Sequence, residues 1–170
     1  MKKLIGIEGL PGSGKSFYAK NLATKLNCNV LNIDDFYVPL KQRNKDSFKK
    51  GGNNIDYSRF IKEIIEPFFN NEDIHYQAYN CQSNSYSNYI NIKNLDTLII
   101  EGNYIYRKEL FKYFTYTYFI KADNLTIKNN IINRSNEQTY KIFENKWIPL
   151  AQSYLEEIDI ENIVDCIVFN

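Results

Sequence analysis

A glycine-rich octapeptide, GLPGSGKS (Gly9–Ser16), separates the apolar run LIGIE from the sequence FYAKNLATKL. Gly9, Gly14, Lys15 and Ser16 meet the spacing G-x-x-x-x-G-K-[ST]. At average residue frequencies this pattern arises by accident in under roughly one chain in a hundred of this length. Its physics limits the folds available. The glycines let the backbone curl until successive N–H groups, among them those of Gly12, Ser13 and Gly14, face one anion together with the N-terminus of the helix that follows. Lys15 can then reach the β- and γ-phosphates of a nucleotide, and Ser16 can offer its hydroxyl to Mg²⁺. Such a loop needs a buried strand before it and a helix after it. Lys3–Glu8 reads as the strand, and Ala19, Leu22, Ala23 and Leu26 form one stripe of a helix from Ser16 to Leu26.

The rest of the chain continues the alternation. Asn29–Ile33 is a second apolar run ending in Asp34 and Asp35, and Lys41–Asn54 is polar, basic and glycine-punctuated, as in a mobile loop. Asp56 can cap a helix whose stripe is Ile61, Ile64, Ile65 and Phe68. Residues 74–92 alternate weakly around an Asn/Ser-rich middle, which suggests a hairpin or an irregular excursion. Thr97–Ile100 and Tyr116–Ile120 are further strands, the first running into Glu101-Gly102. A helix is expected from Asp123 to Arg134, then a long stripe from Phe143 to Ile158 kinked at Pro149, then a last strand at Ile163–Phe169. The pattern predicts an α/β fold of the P-loop NTPase type, three layers αβα, with a mainly parallel five-stranded sheet and a small lid. Residues 1–170 form a single domain in this reading, with the lid at approximately 134–146 and a substrate-side excursion at 74–92.

Bulk composition removes several classes of partner. The 170 residues carry 21 basic and 20 acidic side chains spread along the chain, so there is no electrostatic footprint for nucleic acid or an anionic membrane. No stretch approaches the roughly 18 apolar residues of a membrane span, and the short N-terminal apolar run is broken by Glu8. The expected partner is a small molecule and the expected location the cytoplasm, with oligomeric state left open. Cys28, Cys81 and Cys166 are odd in number and far apart, which suits reduced structural thiols. Arginine occurs only at 43, 59, 107 and 134, so few guanidiniums are available for phosphate.

Switches, mechanical ATPases and small-molecule kinases all use such a loop. A guanine-nucleotide switch also needs D-x-x-G and N-K-x-D, and both are missing; the near match Asn145-Lys146-Trp147-Ile148 has Ile148 where a carboxylate must meet the base. A kinase instead needs carboxylates at the ends of parallel strands, close to the γ-phosphate. Asp34 and Asp35 stand at the end of the second strand and Glu101 at the end of the third. An Asp-Asp pair there also suits capping of the next helix, and Glu101 also suits an ordinary strand end.

Taken in order, GLPGSGKS, IDDFY, NNIDYSRF, IIEGNY and a late helix carrying Arg134 resemble the uridine kinase family of small P-loop kinases, whose relatives act on pantothenate, ribulose phosphate and nicotinamide riboside. The resemblance implies that Asp34 is the general base and Asp35 the variable neighbour. It implies that Ser16, Asp34 and Glu101 surround Mg²⁺, that Lys15 and Arg134 hold the transferring phosphoryl group, and that Tyr37 lies beside the acceptor. Asp56 falls where family members hold ribose hydroxyls. Within YNCQSNSY (Tyr79–Tyr86), Tyr79 and Asn84 fall at substrate positions, Asn84 standing where nucleoside kinases have a histidine and Tyr86 where they have an arginine. Ile131 replaces a second lid arginine, leaving Lys128 or Lys141 as substitute charges, and His75 lies before the excursion in a structural or surface role. The implied activity is transfer of phosphate from ATP, with Mg²⁺, to a hydroxyl of a small metabolite such as a nucleoside. A non-nucleoside alcohol, such as a vitamin precursor or sugar, and a nucleotide-binding regulatory ATPase without a small-molecule acceptor remain alternatives.

Overall fold

The glycine-rich loop does emerge from a buried strand, and that strand is the middle of the sheet. The computed structural model describes residues 1–170. In chain order the elements are β1 (Lys3–Gly9), α1 (Lys15–Leu26), β2 (Asn29–Asn32), α2 (Tyr57–Phe60), α3 (Glu66–Phe69), β3 (Ile74–Tyr76), β4 (Tyr79–Asn80), β5 (Ser85–Tyr86), β6 (Ile90–Ile92) and β7 (Thr97–Glu101). They continue with α4 (Lys108–Phe111), β8 (Tyr116–Lys121), α5 (Asn124–Arg134), α6 (Glu137–Ile142), α7 (Ile148–Glu157), α8 (Ile160–Ile163) and β9 (Cys166–Phe169). The central sheet has the order β2-β7-β1-β8-β9, and every pairing in it is parallel.

Side-chain alternation along the strands divides the core in two. Leu4, Leu31, Leu98, Ile100 and Phe119 share one cluster with Phe60, Ile64 and Phe68 of the helix after β2 and with Ala151, Tyr154 and Leu155 of α7. Ile5, Ile7, Ile99 and Ile120 pack on Ala19 and Ala23 of α1 on the other face. Each such fully buried Phe, Ile or Leu stabilises the fold by ~1.5–3 kcal/mol relative to exposure. The three-layer sandwich follows from burying both faces of a parallel sheet.

Three expectations need adjustment. Residues 160–163 form the short helix α8, so the last strand starts at Cys166 and not at Ile163. Lys41–Asn54 is built from 3-10 turns at Leu40–Gln42 and Lys45–Phe48, the second closed by a capping box between Asn44 and Ser47. Arg107 ties the segment down by donating from Nη1 to Gly51 O (3.0 Å) and Asn53 Oδ1 (2.9 Å). At Pro149, where a kink is expected, the chain is helical on both sides of the proline. A π turn at Phe143–Trp147 joins α6 to α7, and a second at Ile61–Ile65 joins α2 to α3, each ending two residues before a proline, Pro149 or Pro67. A widened turn spares the proline ring its clash with the carbonyl four residues back. The excursion at 74–92 is a long hairpin, β3 pairing antiparallel with β6 and β4 with β5.

Candidate active site

The parallel sheet brings the carboxyl ends of β1, β2 and β7 to one edge, with Asn32 and Ile7 both in register with Glu101. Open α/β sheets bind ligands at this edge. The phosphate loop leaves β1 there and feeds α1. Gly14, at the helix N-cap, has φ 93°, a left-handed conformation that favours glycine, and the Asn170 side chain lies over its Cα. Lys15 Nζ folds back toward Leu10 O at 3.4 Å, a weak contact that a phosphate would replace.

The two strand-end acids are held differently. Glu101 is 4% exposed, and its Oε1 accepts from Ser16 Oγ (2.9 Å) and Asn32 Nδ2 (2.8 Å). Burial raises its carboxyl above the usual range, while the Lys15 charge and the Ser16 hydrogen bond oppose the shift. Its Oε2 is buried and makes no hydrogen bond. A buried, partnerless carboxylate oxygen beside a serine hydroxyl whose lone pairs are free fits a hard cation.

Asn32 settles which residue caps the turn after β2. Its Oδ1 accepts from Asp34 N at 2.8 Å, capping the 3-10 turn Ile33–Phe36 and leaving the Asp34 carboxylate free for the cleft. Asp35 is turned away, its Oδ2 accepting from Tyr76 Oη at 2.9 Å. The Asp34 side chain is open to solvent on its cleft side, yet the surrounding walls exclude enough water to raise its carboxyl. Lys15, the Tyr37 hydroxyl and Arg134 pull the other way. Gly102, directly after Glu101, has φ 139°, and a Cβ there would meet Ile33 Cγ2 at 2.5 Å, so the two carboxylate-bearing turns approach only because this residue lacks a side chain.

Two cavities meet at this edge. One, of about 350 Å³, is lined by Asp34, Tyr37, Glu101, Asn32 and Asn103, with Arg43, Asn54, Cys81, Tyr104, Phe143, Trp147 and Leu150 completing its walls. The other, of about 410 Å³, lies over the phosphate loop between Gly12, Gly14, Phe17, Asn130 and Asn170. Lys15, Ser16 and Arg134 line both. Hollows of about 420 and 490 Å³ elsewhere on the surface contain no strand-end carboxylate.

Gly9 and Ser13 belong to the wall of the loop. A Cβ on Gly9 would lie 2.6 Å from Ser13 Oγ, and Ser13 Oγ is itself buried without a partner. Asp56 caps α2, its Oδ1 accepting from Arg59 N at 2.9 Å, and Asn54 is the residue of that segment that borders the cleft. Tyr79 is buried, receiving a hydrogen bond from Leu40 N (2.9 Å) and donating to Asn84 Oδ1, while Cys81 of the same turn reaches the cavity. Ile131 is fully buried against Gly12, so its position supports the loop from beneath. Lys128 lies over the Tyr140 ring, 5.4 Å from its centroid. His75 is exposed on β3. Sequence reasoning passed over Asn32, Arg43, Asn54, Asn103 and Trp147. Only Asn32, in the N-x-D pattern of an Asx cap, carried a local signal.

No family model matches the chain. Solved structures do. A possible uridine kinase from Bacillus stearothermophilus aligns with 99% of this chain and 89% of its own at 20% identity, TM-score 0.73. A candidate fructose transport system kinase from Silicibacter sp. TM1040 aligns with 98% of this chain and 89% of its own at 16% identity, TM-score 0.78. D-glycerate 3-kinase from Cryptococcus neoformans var. grubii aligns with 88% and 77% at 11% identity, TM-score 0.65. At these identities the likeness is one of fold: the chain shares the three-layer α/β fold of these P-loop proteins.

Proposed function

We propose that the chain is a small-molecule kinase that transfers the γ-phosphoryl group of ATP, with Mg²⁺, to a hydroxyl of a metabolite. The observation that carries this reading is that Lys15, Ser16 and Arg134 border both cavities while Asp34 stands in only one. A nucleotide cavity on one side, an acceptor cavity on the other and shared cations at the junction suit transfer between two ligands better than hydrolysis or sensing of one.

In this reading the β- and γ-phosphates lie in the loop, held by its backbone N–H groups and Lys15. The acceptor hydroxyl, beside Tyr37, gives its proton to Asp34 as its oxygen bonds to the γ-phosphorus. The bond from that phosphorus to the bridging oxygen breaks, and ADP leaves. Arg134 spreads the developing charge from the lid side. Ser16 Oγ and Glu101 Oε2, with Asp34 directly or through water, would hold Mg²⁺, which supplies charge neutralisation at the β- and γ-oxygens when bound. A nucleoside and a non-nucleoside alcohol are both compatible with the Tyr37 wall of the acceptor cavity, which Asp56, Tyr79 and Asn84 do not line. The names of the solved neighbours, a possible uridine kinase, a candidate fructose transport system kinase and a D-glycerate 3-kinase, support the kinase class without choosing between acceptors.

ATP consumption over a panel of alcohol acceptors tests the proposal. At least one acceptor is expected to raise consumption well above the acceptor-free rate with one phosphorylated product per ADP. Tight ATP binding with no acceptor-dependent turnover would favour the regulatory ATPase instead.

A further inference from the structure

The four arginines of the chain divide into two pairs by their surroundings. Arg59 and Arg107 lie outside the cleft and each has a glutamate in ion-pair reach, Glu63 at 3.7 Å and Glu109 at 3.5 Å. Arg43 and Arg134 line the cleft, and neither has a carboxylate within 4.0 Å. The transfer chemistry accounts for Arg134, which borders both cavities. Arg43 borders the acceptor cavity alone, so the nucleotide phosphates do not account for it.

Arg43 is oriented without being neutralised. Its Nε donates to Val38 O at 2.6 Å, and Nη2 donates to Cys81 Sγ at 3.1 Å. The guanidinium lies over the Tyr37 ring at 5.5 Å and near the Phe48 ring at 5.8 Å. A carbonyl and a thiol are weak substitutes for an acid, and they occupy two of the five N–H groups of a guanidinium, leaving both on Nη1 free. The turn that presents it is anchored, since Arg43 N closes the Leu40–Gln42 turn and Asn44 caps the next one. An anionic acceptor entering a cleft that already contains Asp34 and Glu101 would be repelled unless a cation faced it.

We propose that Arg43 determines acceptor specificity by holding a carboxylate or phosphate group on the acceptor, which is then a small anionic alcohol with its hydroxyl directed toward Asp34. This rests on the kinase reading of the same site and narrows it away from uncharged nucleosides and sugars. Bidentate pairing of guanidinium with either oxyanion is the recognition chemistry involved.

The test compares D-glycerate and glycerol 3-phosphate with the neutral probes uridine and fructose, in wild type, Arg43→Gln and Arg43→Lys. Wild type is expected to show its highest kcat/KM on an anionic probe, and the better of the two anions identifies the group. Arg43→Gln should raise the KM of that probe by on the order of 10- to 100-fold, the value of a charged hydrogen-bond pair. Its KM for ATP should stay within about twofold and Arg43→Lys should recover part of the loss, because a point charge replaces the fork. Highest kcat/KM on a neutral probe, or an anionic-probe KM unmoved by Arg43→Gln, would overturn the inference while leaving the kinase reading intact. ATP binding with no acceptor-dependent turnover on any probe would overturn both.

Discussion

Glu8 is fully buried on β1, one residue before the phosphate loop, and its two oxygens accept from Gly9 N (3.1 Å) and Ile105 N (2.9 Å). It joins the start of the loop to the turn that follows Glu101, alongside the hydrogen bond from Asn103 Nδ2 to Gly9 O at 2.8 Å. Burial pushes its carboxyl up to about 8, with the two amides and the Lys15 charge limiting the rise. A carboxyl raised above its unfolded value binds a proton in the folded state that the unfolded chain has released. Its contribution is therefore fully present below about pH 4.5 and is lost as pH rises to about 8. Urea unfolding should lose up to ~1.4 kcal/mol of stability per pH unit between pH 6 and 8, and Glu8→Gln should flatten that slope. A wild-type stability that is level or rising over this range would contradict the assignment. In the sequence Glu8 is only a break in an apolar run, because the partner that makes it consequential, the Ile105 amide, lies 97 positions away. The resemblance separates Asp34 from Asp35 in expected role, but the geometry that holds them apart is hidden in the sequence. It depends on Asn32 taking the cap and Tyr76 taking Asp35, and Tyr76 arrives from the hairpin.

At the level of elements, the phosphate loop and its flanking strand and helix were legible because one local pattern specifies all three. The helices around Pro67 and Pro149 were legible as stripes, but their geometry was not, since a proline can kink, end or widen a helix with similar local cost. The π turn at Phe143–Trp147 has a consequence for the cleft, because it sets the rotation of Phe143 and Trp147, which line it. Pro149→Ala removes the ring that favours the wide turn. A return to regular α-helix would turn both aromatic side chains relative to α7 and cost on the order of 1 kcal/mol of acceptor contact, about fivefold in acceptor KM. Thermal stability should hold or rise, as proline is the poorest helix former. An unchanged acceptor KM would show that the wide turn is not maintained by Pro149. The polarity of the 41–54 segment predicts a loop, and the features that order it, the Asn44 cap and the Arg107 anchor, involve either one local side chain or a residue more than fifty positions away.

Across the whole molecule, the sandwich was legible because strands and helices alternate with clear periods, the pattern of a parallel sheet covered on both faces. Strand order follows from pairings between segments as distant as β1 and β7, which no local pattern encodes. The candidate site divides in the same way. Lys15, Ser16, Asp34 and Glu101 stand at strand ends and in a motif, and they gather at one edge of the sheet. The wall of the proposed acceptor cavity is drawn from the 41–54 turns, the hairpin and the π turn, where sequence gives least, and Arg43 and Trp147 come from there. In the proposed function this edge joins a donor cavity to an acceptor cavity with Asp34 as the base between them. Single-turnover transfer from γ-labelled ATP to the best acceptor, compared between wild type and Asp34→Asn, tests it most directly. Loss of the transfer rate by ~10²–10⁴-fold with ATP affinity within about twofold is the result expected of a missing general base. Transfer at the wild-type rate in Asp34→Asn would contradict the account.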